Sequence, residues 1–92
     1  MRESFIEAKL RKAIQALGGI CIKFTSPGSM DGVPDRIILL PGGRIYFVET
    51  KSPAGKLSAI QRFVHKTFAK LGFPVRVIGT LEELAAFINE IK

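Results

Sequence analysis

Asp35-Arg36-Ile37-Ile38-Leu39-Leu40-Pro41-Gly42-Gly43-Arg44-Ile45-Tyr46-Phe47-Val48-Glu49-Thr50-Lys51 is the stretch whose reading decides the fold. Two apolar runs, 37–40 and 45–48, flank a Pro-Gly-Gly turn, which is a hairpin pattern. Charge sits at the open end of both strands: Asp35 begins the first, and Glu49 and Lys51 end the second. Side chains alternate along a strand, so Ile45, Phe47, Glu49 and Lys51 share one face. Two registers are open. A three-residue loop sets Leu40 against Arg44 and Asp35 against Glu49. A two-residue Gly42-Gly43 loop sets Arg36 against Glu49, a plain cross-strand ion pair. Three-residue loops with a left-handed glycine are common, which favours the first.

Working outward, residues 3–17 place Ile6, Leu10, Ala13, Ile14 and Leu17 on one helical stripe, stopped by Gly18-Gly19. Residues 20–24 read as a short strand, and 25–34 as a loop rich in Gly, Pro and Ser. After a turn at 52–56, Ser58 and Gln61 form a capping-box pattern. The helix it opens carries Ile60, Phe63, Val64, Phe68 and Leu71 as its stripe and ends at Gly72. Residues 75–78 are the last strand. Thr80 and Glu83 suggest a second capping box before Leu84, Phe87, Ile88 and Ile91. The expected order is αβββαβα, a mixed sheet layered with helices in one domain over residues 1–92.

The chain has 92 residues, with 14 Lys and Arg against 8 Asp and Glu, a net charge of +6. A domain of this size buries only about 60–65% of its unfolded surface, so its core is modest. Hydrophobic residues make up 47%, too many for a disordered basic tail. The longest apolar run, 37–41, is far short of the roughly 20 residues a membrane span needs. Arg2, Glu3 and Glu7 interrupt the N-terminus where a secretory signal would be apolar. Cys21 is the only cysteine, which excludes an intrachain disulfide and a cysteine-based zinc site. An intracellular setting is expected, with an anionic partner, most often nucleic acid.

Two carboxylates facing each other repel unless a cation neutralises them, and oxygen ligands alone suit Mg²⁺ or Mn²⁺. A lysine beside such a site can orient an attacking water and offset phosphate charge. The chemistry that fits is metal-dependent phosphodiester hydrolysis. Glu49-Thr50-Lys51 alone would be unremarkable, since that spacing arises in about half of chains this long. The joint arrangement carries the reading: Pro-Asp opening one strand, Glu-x-Lys closing the next, and a glycine-rich loop on each side.

Gly32-Val33-Pro34-Asp35, Leu40-Pro41-Gly42-Gly43-Arg44, Phe47 through Ser58 and Gln61 together resemble a stand-alone VRR-NUC domain. These virus-type replication-repair nucleases lie within the PD-(D/E)XK superfamily, whose core is also αβββαβα. The resemblance implies Asp35, Glu49 and the Thr50 backbone carbonyl as metal ligands, and Lys51 as the catalytic lysine. It matches Glu7 to the acidic residue on the first helix, a further metal ligand, and Gln61 to the glutamine on the helix after the motif, a catalytic residue beside Asp35, Glu49 and Lys51. Position 50 is more often aliphatic in the family, a change that leaves a backbone ligand intact. The resemblance further implies structure-selective cutting of branched DNA, such as four-way (Holliday) junctions, by homodimers. Such a protein would work in the cytoplasm of a bacterium or of a virus-infected cell. Flaps, single strands and RNA are alternative substrates, and a catalytically silent DNA-binding module or an interaction subunit are alternative classes.

Read from the residues, Glu7 and Gln61 lie at the edges of their helical stripes, where ordinary boundary polar residues also sit. Gln61 has a second role as capping partner of Ser58. Lys23, Ser26, Arg36, Lys56 and Arg62 are the candidates for DNA-backbone contact, Arg36 equally for an ion pair within the sheet. Arg62, Lys66 and Lys70 form an outer helical face. His65 falls on the polar side of that helix and reads as a surface histidine. Cys21 reads as a small buried apolar residue.

Overall fold

Pro41, Gly42 and Gly43 turn the chain between two antiparallel strands, β2 (Arg36–Leu40) and β3 (Arg44–Thr50). Both glycines hold positive φ, +86° and +74°, a region that residues with a Cβ avoid. The three-residue loop pairs Leu40 with Arg44 and Arg36 with Val48. Continued by one residue, this register sets Asp35 across from Glu49. The two-residue alternative is excluded.

The computed structural model describes residues 3–25 and 31–92, so Ser26 lies outside the described residues. The other elements are α1 (Glu3–Ala16), β1 (Ile20–Lys23), α2 (Ala59–Lys70), β4 (Val75–Ile78) and α3 (Leu81–Ile91). The order is the expected αβββαβα. The strands lie β1-β2-β3-β4, with β1, β2 and β3 antiparallel and β4 parallel to β3. α2 makes the crossover that a parallel pair requires.

One face of the sheet carries the main core. Ile6, Leu10 and Ile14 recur every four residues on α1 and are fully buried. They meet Ile38 and Leu40 of β2, Val48 of β3, Ile78 of β4, and Leu84, Phe87 and Ile91 of α3. Tyr46 adds an edge-to-face contact with Phe87. On the other face Phe47 packs edge-on against Phe68 of α2 and Phe73.

The α2 stripe departs from the sequence expectation. Ile60, Phe63 and Leu71 are 51%, 67% and 70% exposed. Val64 and Phe68 of the expected stripe do turn inward, and Gln61 and His65 join them there in place of the other three. The start of the helix explains the rotation. Ser58 Oγ accepts from the Gln61 N–H at 3.1 Å while Gln61 Oε1 accepts from the Ser58 N–H at 2.8 Å. This capping box, worth about 1 kcal/mol, fixes where the first turn begins, and Phe68 must meet Phe47. The second box is half formed. Thr80 Oγ1 accepts from the Glu83 N–H, but Glu83 Oε1 accepts from the N–H of Gly79 rather than that of Thr80.

α2 does not span the whole of its sheet face. Pairing and alternation put Ile20 and Ile22 of β1, Leu39 of β2 and Ile45 of β3 on that side. All four are substantially exposed. Between them and α2, Phe24, Val33, Pro34, Ile37, Phe47 and Phe68 line an apolar cavity of about 200 Å³.

Gly19, between α1 and β1, lies close against β2. A Cβ there would lie 2.3 Å from the Leu39 carbonyl oxygen and 2.7 Å from Leu40 Cδ2. Gly19→Ala is therefore expected to destabilise the protein by about 1–3 kcal/mol in urea unfolding, the usual range for overpacking. An unchanged midpoint would show that the chain before β1 can back away from β2.

Candidate active site

The backbone ladder between β2 and β3 stops at Arg36 and Val48, and the Asp35 side chain takes over from it. Asp35 Oδ1 accepts from the Thr50 N–H at 2.9 Å, and Oδ2 accepts from the Thr50 hydroxyl at 2.6 Å. The Asp35 carbonyl accepts from the Phe24 N–H at 2.8 Å, tying the same residue to the chain after β1. Pro34, which has no N–H to give, precedes it and is buried. Asp35 is thus held from both neighbouring strands.

Arg36 begins β2 and faces the α1 side, only 5% exposed. Its guanidinium pairs with Glu7 Oε1 at 2.5 Å and with Asp35 Oδ2 at 3.2 Å. Glu7 Oε1 also lies 3.5 Å from the Thr50 hydroxyl. Glu7, Asp35, Arg36 and Thr50 therefore form one polar knot over the end of the core. Arg36 is turned onto these acids rather than outward, where a phosphate would be.

Glu49 lies on the side of the sheet opposite Arg36, toward α2, and is buried. His65 Nε2 lies 3.4 Å from Glu49 Oε1, in an orientation outside hydrogen-bond geometry. His65 is not the surface residue expected: its side chain is 11% exposed. The same rotation of α2 that exposes Phe63 brings it inward. Burial pushes the imidazole below its usual range.

Lys51 follows directly. Its N–H donates to the Ile78 carbonyl at 3.0 Å, extending the pairing with β4 by one residue. Its side chain crosses Gly79, where a Cβ would stand 3.0 Å from both Lys51 Cγ and Nζ. Gln61 is half-buried on α2 and its Oε1 is engaged in the capping box. Lys23, Lys56 and Arg62 are exposed, and Arg62 Nη1 donates to the Leu57 carbonyl at 2.8 Å. Cys21 is half-buried against the core, and burial raises its thiol pKa, with Arg36 and Arg11 opposing.

Sequence reasoning did not single out the Thr50 side chain, His65 or Gly79 for the site. Two signals were present. Thr50 is a hydroxyl on the same strand side as Val48, hence facing the core. His65 lies four residues after Gln61, hence on the same helical face. Nothing local marks Gly79, because Lys51 comes to it only through the β3–β4 pairing.

Among the described residues, no three His, Cys, Asp or Glu side chains gather closely enough to hold an ion by themselves. A divalent ion here would rest on a carboxylate pair at facing strand ends. That donor set suits Mg²⁺ or Mn²⁺, since Mg²⁺ ordinarily takes one or two carboxylates and keeps waters or phosphate oxygens for the rest. Asp35 has room for it. Among the described residues, Oδ2 receives two hydrogen bonds and Oδ1 one, which leaves acceptor capacity on Oδ1.

A mixed sheet with acidic strand ends and an adjoining lysine has the form of a nuclease domain. The chain belongs to the VRR-NUC family, whose domain model matches residues 2–80. It is 44% identical over 91 residues to the "Putative nuclease p44" of Acyrthosiphon pisum secondary endosymbiont phage 1, covering 99% of this chain and 96% of that one. A solved VRR_NUC domain structure superposes with a TM-score of 0.87 at 31% identity, covering 98% of this chain and 97% of the other.

The buried imidazole gives a pH dependence of definite sign. The unfolded ring titrates near 6.5 and the folded ring lower, so the unfolded state binds the proton first on acidification. The contribution to stability is complete above pH 6.5 and is lost as the pH falls below it. His65→Phe is expected to flatten the fall of the thermal midpoint over that range. Identical slopes in the two proteins would contradict the burial.

Proposed function

We propose that the chain is a Mg²⁺- or Mn²⁺-dependent DNA endonuclease that cuts branched DNA, such as four-way junctions, as a homodimer inside a cell. The observation that carries the reading is the hairpin register, which sets Asp35 across from Glu49 with Lys51 two residues further on. Family membership supports hydrolysis of nucleic acid, and the phage relative supports a viral setting.

In this reading Asp35, Glu49 and the Thr50 carbonyl hold the ion, with Glu7 nearby. The bound ion supplies Lewis acidity at the phosphate and a more acidic water. Lys51 holds its amine beside the scissile group, orienting the water and offsetting charge on the phosphate. Gly79 gives the lysine stem room to lie there. Gln61 orders the start of α2, and Lys23, Ser26, Lys56 and Arg62 supply contacts to the DNA backbone. Water adds across one P–O bond, giving a phosphate monoester and an alcohol.

The exposed Ile20, Ile22, Leu39 and Ile45 support the dimer. Four large aliphatic side chains on one open sheet face form an apolar patch of the sort that marks an interface. A second copy suits it, because cutting both strands of a junction symmetrically takes two sites related by a twofold axis.

The reading is checked with a panel of labelled junction, flap, duplex and single-stranded DNA in Mg²⁺. Junction cleavage is expected, lost with a chelator and lowered about 10²–10⁴-fold by Asp35→Ala or Lys51→Ala. Binding without cleavage, unchanged by Lys51→Ala, would make the protein a silent binding module. Separately, Ile22→Lys is expected to shift the solution mass from twice the 10.1 kDa chain to the monomer. A wild-type monomer at working concentration would reject the dimer.

A further inference from the structure

We propose that Arg36 is a positioning residue that sets the Asp35 carboxylate, and that Glu7 acts on the site through Arg36 rather than as an ion ligand. The inference rests on the reading of Asp35 as an ion-holding carboxylate and deepens it.

Alternation places Arg36 on the strand side of Ile38 and Leu40, the side covered by α1 and α3. A guanidinium there is removed from water and must be compensated in place. Its donors are spent accordingly. Nη2 meets Glu7 Oε1 at 2.5 Å, while Nη1 donates to the Asp35 carbonyl at 2.9 Å and reaches Asp35 Oδ2 at 3.2 Å. One nitrogen, Nη1, thus meets Asp35 at backbone and side chain while the other, Nη2, holds Glu7, a two-point span that a lysine's single ammonium does not reproduce.

Among the described residues, the polar contacts of Glu7 are with groups that hold Asp35. One is Arg36; the other is the Thr50 hydroxyl, whose single proton is given to Asp35 Oδ2 at 2.6 Å. Both contacts are made through Glu7 Oε1, which the ion pair with the buried arginine already holds at 2.5 Å. Holding that arginine requires no rearrangement. The consequence for Asp35 is orientational: with Oδ2 taken by Thr50 and Arg36, Oδ1 is the oxygen with acceptor capacity left for an ion.

The test is a thermodynamic cycle in Mn²⁺ affinity, measured by calorimetry on the full chain without DNA. Wild type, Glu7→Gln, Arg36→Met and the double variant are compared, with a thermal melt of each metal-free protein. Each single change is expected to weaken Mn²⁺ about 10–100-fold, the usual effect of losing a group that orients a ligand. The double variant is expected to be no weaker than Arg36→Met alone, because Glu7 then has nothing to act through. A further tenfold loss on adding Glu7→Gln to Arg36→Met would overturn the proposal by showing Glu7 to be a ligand. So would wild-type affinity in either single variant. Absence of Mn²⁺ binding by the wild type would overturn the ion reading itself, and this inference with it. If Arg36→Met does not fold, Arg36→Lys takes its place in the cycle, keeping the charge and losing the fork.

Discussion

The bond from the Thr50 N–H to Asp35 Oδ1 is the point on which the rest of the site depends. It closes the open end of the β2–β3 hairpin where the backbone ladder has run out, and it exists only in the register set by the Pro41-Gly42-Gly43 loop. A slip of one residue would invert every side chain of β3, sending Val48 to the α2 side and Phe47 into the α1–α3 core. The same loop therefore decides both the core and the acid pair. Asp35, Glu49 and Lys51 sit at strand ends for the reason that active residues commonly do: the rigid sheet fixes them while the chain beyond is free to meet a ligand.

Charge in this molecule is divided by the sheet. On the α1 side, Glu7 and Arg36 pair beside the Thr50 hydroxyl, and Asp35 joins them through Oδ2 from the end of the strand while its Oδ1 bonds the Thr50 N–H. On the α2 side, Glu49 lies against His65. The exposed lysines and arginines produce the net +6, but they lie outside this arrangement. The positive total draws an anion to the protein, whereas the acidic minority gives the strand ends their chemistry.

The order of elements was legible from periodicity and punctuation. Ile6, Leu10 and Ile14 step by four, and the hairpin loop carries two glycines that accept positive φ. Asp35 facing Glu49 was legible as one of two registers. α2 was legible as a helix and misread as a surface. Its apolar residues Ile60, Phe63 and Leu71 look inward by pattern, yet the capping box and the Phe47–Phe68 contact set its rotation otherwise. His65 was lost by the same error. Arg36 could be placed by alternation on the face of Ile38 and Leu40 but not given its partner, because Glu7 lies twenty-nine positions earlier and is brought near only when α1 docks.

Central to this account is a divalent ion held between the ends of β2 and β3. The most direct measurement is anomalous scattering from a crystal of the protein grown with Mn²⁺. One strong peak is expected within coordination distance of Asp35 Oδ1 and the Glu49 carboxylate, with Arg36 still paired to Glu7. Manganese bound elsewhere, or no peak at these residues in an otherwise ordered site, would contradict it.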